Sequence, residues 1–136
     1  MEITLKGDMV IENVPSLKQK ALRINLNENI YGTFAEIGAG QETVRQFFRA
    51  GGASRTIAKS MSAYDKDFSD AIYGIENDKR YVTESRLRKM LNHEVDLIEK
   101  RITREKHPNK LFFSFANTVA TIDFAKKYKG HGWVGI

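Results

Sequence analysis

Apolar residues recur every third or fourth position along one long stretch of this chain and fall into short alternating or continuous runs elsewhere. Leu87, Met90, Leu91, Val95, Ile98 and Ile102 share one face of a 3.6-residue repeat, which predicts an amphipathic helix from Glu84 to about Lys106. Thr83 is placed to cap its start, Lys100, Arg101, Arg104 and Lys106 suit the negative end of its dipole, and Pro108 prevents continuation. The continuous run Leu111–Phe115 that follows has strand length, and its lack of alternation predicts a strand covered on both faces at about 111–116, the best candidate for a central strand.

The remaining pattern is more fragmentary. Ile3–Leu5 and Met9–Ile11 flank Lys6-Gly7-Asp8 and read as a starting hairpin. Pro15-Ser16 opens a helical turn over Leu17–Leu22, after which Ile24, Leu26 and Ile30 fall at alternating positions. Tyr31–Ile37 reads as a short strand or turn, and Gly38-Ala39-Gly40 leads into a helix over Gln41–Ala50, with Val44, Phe47 and Phe48 at helical spacing and Gly51-Gly52 ending it. Ser54 is a suitable N-cap for a further helix that buries Ile57, Ala58, Met61 and Tyr64 and stops near Asp65. Phe68–Tyr73 fits either a helical turn or a strand, Gly74–Lys79 a loop, Thr121–Tyr128 a helix or an extended segment, and Trp133–Ile136 a strand. The expected fold is α/β (or α+β), a helix-rich single domain over residues 1–136 with a small sheet.

Composition narrows the class. At 136 residues the chain encloses one ordinary core, and the apolar fraction of 41% with a charged fraction of 29% matches soluble globular domains. Zero cysteines exclude disulfides, thiolate metal sites and thiol nucleophiles. No run has the length or apolarity of a signal peptide or membrane span, so a cytoplasmic location without membrane partners is expected. The net charge of +5 is uneven, because Lys100–Lys129 holds eight basic residues against Glu105 and Asp123. A solvated lysine-rich surface accounts for this, and nucleic-acid binding through that stretch is the alternative.

The chemistry centres on two glycine segments. Ala35-Glu36-Ile37-Gly38-Ala39-Gly40-Gln41-Glu42 looks like the first motif of S-adenosylmethionine-dependent methyltransferases, but Glu42 stands where the third glycine belongs, and the dinucleotide fingerprint fails with its third glycine at Thr43. In a looser form, Gly38 and Gly40 before a helix expose amides to a phosphate or carboxylate, although Glu36 and Glu42 beside them would repel an anion. Gly51-Gly52-Ala53-Ser54-Arg55-Thr56 offers a second small, polar helix start, with Arg55 and Lys59 supplying charge; it lacks the Gly-Lys-Ser/Thr ending of a Walker loop. Asp65, Asp67 and Asp70 do not meet the calcium-loop pattern, and no metal site is assigned. His93 and His107 read as surface residues, whereas His131 between two glycines has an accessible imidazole. Phe112, Phe113 and Phe115 lack the glycine-aromatic pattern of an RNA-recognition strand, which makes nucleic acid an unfavoured partner.

The stretch from Ala21-Leu22-Arg23-Ile24-Asn25-Leu26 through Tyr31–Glu42 resembles an uncharacterised bacterial family, as do Gly51-Gly52-Ala53, Thr56–Asp65, Phe68–Gly74 and Lys129–Trp133. Members of that family carry two labels, nicotinate-nucleotide adenylyltransferase and TonB-dependent receptor. The first implies a His-x-x-His phosphate signature, of which Lys129-Gly130-His131-Gly132 has one histidine; the second implies membrane strands and an export signal that this sequence lacks. Members continue past a Gly-Trp-x-Gly-Ile segment like the one at Gly132–Ile136, so the resemblance implies an N-terminal portion of a longer protein; in a structural domain, the apolar C-terminal run would pair with another chain or with the missing remainder. The expectation is a domain that binds a nucleotide or phosphate-bearing small molecule through Gly38, Gly40, Gly51, Gly52, Ser54, Arg55, Lys59 and His131, as part of a nucleotide-handling enzyme. A structural or oligomerisation domain is the alternative. No catalytic residue and no cofactor is assigned.

Overall fold

The computed structural model describes residues 3–6 and 9–136, with side chains from residue 13 onward. Strands β1 (Ile3–Lys6) and β2 (Met9–Glu12) pair antiparallel, with Lys6 opposite Met9, as the expected hairpin requires. Its turn residues Gly7 and Asp8 lie outside the described residues.

Then come α1 (Leu17–Asn25), β3 (Ile30–Gly38), α2 (Thr43–Ala50), a single 3-10 turn (Ala53–Arg55), β4 (Ile57–Ala63), α3 (Lys66–Tyr73), α4 (Glu84–Arg101), β5 (Leu111–Ala120) and β6 (His131–Gly135). The main sheet has the order β4-β3-β5-β6; β4 and β5 run parallel to β3 on either side, and β6 is antiparallel at the edge. The fold is therefore α/β, with four helices around a mixed four-stranded sheet.

Alternation along β3 assigns the two faces. Phe34 turns toward α2, its ring centroid 5.1 Å from Phe47 and 5.6 and 5.3 Å from Phe113 and Phe115 of β5. Ala35 and Ile37 turn the other way, into a core shared with Ala63, Tyr73, Leu87, Met90 and Ala116 under α3 and α4. Caps define the helices: Ser16 and Gln19 form a capping box on α1, Asp65 accepts from the amides of Asp67 and Phe68, and Thr83 accepts from Arg86.

Four expectations are corrected. The second helix from Ser54 is strand β4, and Tyr64, placed on its buried side, is 82% exposed. Ile57, Ala58 and Met61 have a helical interval by coincidence; pairing with β3 from Ile57 to Ala63 satisfies the backbone instead, and Ser54 is an exposed member of the 3-10 turn. Helix α4 ends at Arg101 rather than Lys106, because Ile102 turns extended and the chain folds back toward β5. Helix α1 continues through Ile24 to Asn25, where alternation was expected. Finally β3, read as a short strand or turn, is a nine-residue strand between β4 and β5, buried continuously from Gly32 to Ile37.

Strand β5 is central as expected and four residues longer than anticipated, though Leu111 at its start is exposed and full burial begins at Ser114. Residues 121–128 form turns rather than a helix or strand, and the expected final strand is β6.

Candidate functional site

From β3 the chain passes through α2 to β4 on one side, then returns through α3 and α4 to β5 on the other. The boundary between β3 and β5 is thus a topological switch point, and ligands of open α/β sheets bind beyond the carboxyl ends of the strands at such a point. A cleft of about 320 Å³ lies there, walled by Gly38, Tyr64, Lys66, Ser69, Tyr81 and Thr118 among others.

The glycine segment at the end of β3 is tied down by its own side chains. Gly38 has φ +76° and lies so close to Val119 of β5 that a Cβ would meet the Val119 carbonyl at 2.3 Å, so the residue is glycine for both conformation and space. Gln41 Nε2 donates to the carbonyls of Glu36 and Gly38, at 3.0 and 2.9 Å. Glu36 is buried, and its Oε1 accepts from the Thr43 amide at 2.9 Å and from Asn117 Nδ2 at 3.0 Å. Asn117 Nδ2 also reaches the Gly40 carbonyl at 2.9 Å. A carboxylate of the chain itself thus occupies the positive end of α2, where the glycine segment alone suggested an external anion. The α3 start is closed in the same way by Asp65.

The opposite wall is held by a buried cation. Arg86, with no exposed surface, donates from Nη2 to Asp70 Oδ1 and from Nη1 to the Gly74 carbonyl, each at 2.7 Å, and its guanidinium lies 4.8 Å from the Tyr81 ring centroid. Tyr81 donates its hydroxyl to Asp70 Oδ2 at 2.7 Å, its carbonyl accepts from Thr118 Oγ1 at 2.7 Å, and Lys66 lies over its ring. Donation to Asp70 holds the Tyr81 phenol above its ordinary range. Ser69 lines the same cleft; its Oγ is buried and has no hydrogen-bond partner among the described residues. Behind this wall Tyr73 donates to the buried Glu94 at 2.8 Å, and Lys59 pairs with the other oxygen of that carboxylate. Burial first, then the Glu94 charge and hydrogen bond, push the Tyr73 phenol well above its ordinary range.

The expected site residues divide between two ends of the sheet. Gly38 is at the cleft, Gly40 is beside it, and His131 is exposed at the start of β6, opposite Ala120 of the same rim. Gly51, Gly52, Ser54 and Arg55 lie at the other end, where Thr56 hands its carbonyl to Gly32 and Arg55 pairs with the exposed Glu28 at 3.2 Å. Six residues of β3 separate the two glycine segments, about 20 Å, so they do not open on one cleft. Lys59 is midway along β4, facing α4. The basic residues of Lys100–Lys129 also separate, to opposite ends of the ten-residue β5. Asp65 and Asp70 serve the α3 cap and Arg86, and no group of three or more His, Asp or Glu suited to a metal ion occurs among the described residues. No helix among them is long and apolar enough to cross a membrane.

Sequence reasoning passed over Ser69, Tyr81, Arg86 and Glu94. A signal was present in α4: Arg86, Met90, Glu94 and Ile98 follow one another at intervals of four, and all are buried. Charged residues recurring on the apolar stripe of a helix mark positions that need buried partners.

No family model matches the chain, and no curated protein matches it in sequence. Among solved structures it is similar to a competence-damaged protein (CinA) superfamily protein from Enterobacter cloacae, with a TM-score of 0.63 and 10% identity over 97% of this chain and 85% of that one. It is also similar to the competence/damage inducible protein CihA from Agrobacterium tumefaciens, with a TM-score of 0.54 and 16% identity over 82% of this chain and 65% of that one. At these identities the likeness establishes a shared α/β fold.

Proposed function

We propose that this chain is a cytoplasmic domain that binds a nucleotide or other phosphate-bearing small molecule in the cleft at the carboxyl ends of β3, β4 and β5. The observation that carries this reading is the cleft itself, about 320 Å³ at the switch point of the sheet, where ligands of open α/β sheets bind, with Ser69 among its lining residues. The Ser69 hydroxyl beneath that lining is buried and has no hydrogen-bond partner among the described residues, a state that costs stability. The exposed Tyr64 ring offers a stacking platform at the mouth, and Lys66 a cation for phosphate. In this reading Gly38, Gly40 and His131 border the site, and the Gly51–Arg55 turn and Lys59 have structural roles.

Thermal-shift titration with ATP, NAD and S-adenosylmethionine tests it. A probe held at a hundred times its Kd stabilises the fold by about 2.7 kcal/mol, a shift of several degrees. No shift with any of the three at millimolar concentration, or a shift unchanged in Ser69→Ala and Lys66→Ala, argues against the reading.

A second reading is self-association through the β5–β6 edge, favoured by Trp133, Val134 and Ile136, which are 43%, 64% and 85% exposed on or just after the outermost strand. Unprotected apolar edges of this kind pair readily with another chain. Light scattering that shows a strict monomer at high concentration would remove it.

A further inference from the structure

We infer that the open edge of β5 from Leu111 to Phe115 docks an extended segment of another protein, one in which apolar residues alternate with basic ones. Strand β6 covers this side of β5 only from Ala116 onward, where Gly135 is the opposite residue. The Leu111 amide donates to the Asn29 carbonyl and the Val119 carbonyl accepts from the Ala39 amide, at the two ends of β3. Odd-numbered residues of β5 therefore turn their backbone groups to β3, and even-numbered ones turn theirs to the side that β6 occupies farther along. Phe112 and Ser114 thus present two N–H and two C=O groups that have no backbone partner among the described residues. A row of such groups is a template for a further strand.

Grooves flank this edge on both faces of the sheet. The one toward α2, about 360 Å³, is walled almost wholly by apolar residues, among them Ile24, Phe34, Phe47 and Phe113. The one toward α4, about 740 Å³, is walled by Leu91, Val95, Asp96, Glu99, Arg104 and Phe112 among others. A strand antiparallel to β5 and in line with β6 alternates between the two grooves. Its residues opposite Leu111 and Phe113 face α2 and enter the apolar groove, and those opposite Phe112 and Ser114 face α4. There Glu99 is paired with Arg104 at 2.8 Å, whereas Asp96 has no ion pair among the described residues. That leaves one negative charge for a lysine or arginine of the incoming strand.

A second copy of this chain fits less well. Antiparallel pairing of two such edges about Phe113 would set Lys110 of one copy opposite Ala116 of the other, the place that Gly135 already fills. Leu111 stands at the amino end of β5, so this edge is also distinct from the cleft at the carboxyl ends of the strands and from the outer edge of β6.

Fluorescence anisotropy with a labelled peptide of about six residues, lysine alternating with valine and phenylalanine, tests the inference. Binding should weaken at least about tenfold when the lysine amides, which would pair with Phe112 and Ser114, are N-methylated. It should stay unchanged when the valine and phenylalanine amides are methylated instead. Asp96→Lys, at an exposed position, should weaken binding by about threefold, with an unchanged thermal melt to show that the variant is folded, and a peptide with glutamate in place of lysine should bind more weakly to the parent. Hydrogen exchange at the Phe112 and Ser114 amides should slow in the complex. No binding at millimolar peptide, equal loss from either set of N-methyl groups, a glutamate peptide that binds as tightly as the lysine one, or a dimer in light scattering that the peptide does not dissociate overturns the inference.

Discussion

Asn117 stands opposite Glu36 across the parallel pair β5–β3, and its side-chain amide donates to the buried Glu36 carboxylate at 3.0 Å. That contact joins residues 81 positions apart and holds the carboxylate against the start of α2. A helix N-terminus that would otherwise attract an anion is thereby neutralised from within the fold.

Asn117→Ala removes donors to both Glu36 and the Gly40 carbonyl, and should lower unfolding free energy by about 1–3 kcal/mol. Asn117→Asp places a second carboxylate against the first and should cost more at neutral pH. Urea unfolding at neutral pH measures both, and an Asn117→Asp variant as stable as the alanine variant would contradict the contact.

Arg86 should be among the costliest residues to replace. Arg86→Met leaves the partly buried Asp70 without its cation, while Glu76 keeps Lys89 at 3.1 Å, with an expected loss of about 3–5 kcal/mol. The double variant Arg86→Met/Asp70→Asn should recover part of it, because the stranded charge is gone. Losses that simply add in a double-mutant cycle would show that the pair does not interact.

Ser69→Ala is expected to behave in the opposite way. It deletes a buried hydroxyl that has no partner among the described residues, so the ligand-free protein should be unchanged or more stable by up to about 1 kcal/mol. The same variant should show a smaller thermal shift with any nucleotide that stabilises the parent. A clear destabilisation of the ligand-free form would mean that the hydroxyl is already satisfied.

Tyr73 ties stability to alkaline pH. Its folded-state pKa lies above the unfolded value of about 10, so the native state keeps a proton that the unfolded chain releases. Stability linked to this group is therefore complete below about pH 10 and is lost as pH rises beyond it, with a slope of up to about 1.4 kcal/mol per pH unit. Tyr73→Phe should unfold with a shallower dependence between about pH 10 and 11 than the parent. Identical slopes in the two proteins would contradict the shift.

What the sequence determined by itself is the set of features that depend on near neighbours. The repeat from Leu87 to Ile98 specifies α4, the side chain of Thr83 caps it, and Gly51-Gly52, both at positive φ, close α2. The Leu111–Phe115 run specifies a strand, and the mixture of helical and extended runs specifies an α/β class. Each follows from spacing or backbone preference within a few residues, which is why it is legible in one dimension.

The tertiary structure alone decided what depends on distant partners. Ile57–Ala63 becomes a strand because β3 supplies a neighbour, although its apolar spacing also satisfies a helix. Glu36, Arg86 and Glu94 disguise buried positions as polar ones, and only residues far along the chain show that their charges are compensated. The two glycine segments look equivalent as sequence, but parallel pairing sends them to opposite ends of the sheet. Periodicity reports how a segment folds on itself, whereas pairing, burial of charge and the convergence of loops are set by contacts that cross dozens of residues and are fixed only when the whole sheet assembles.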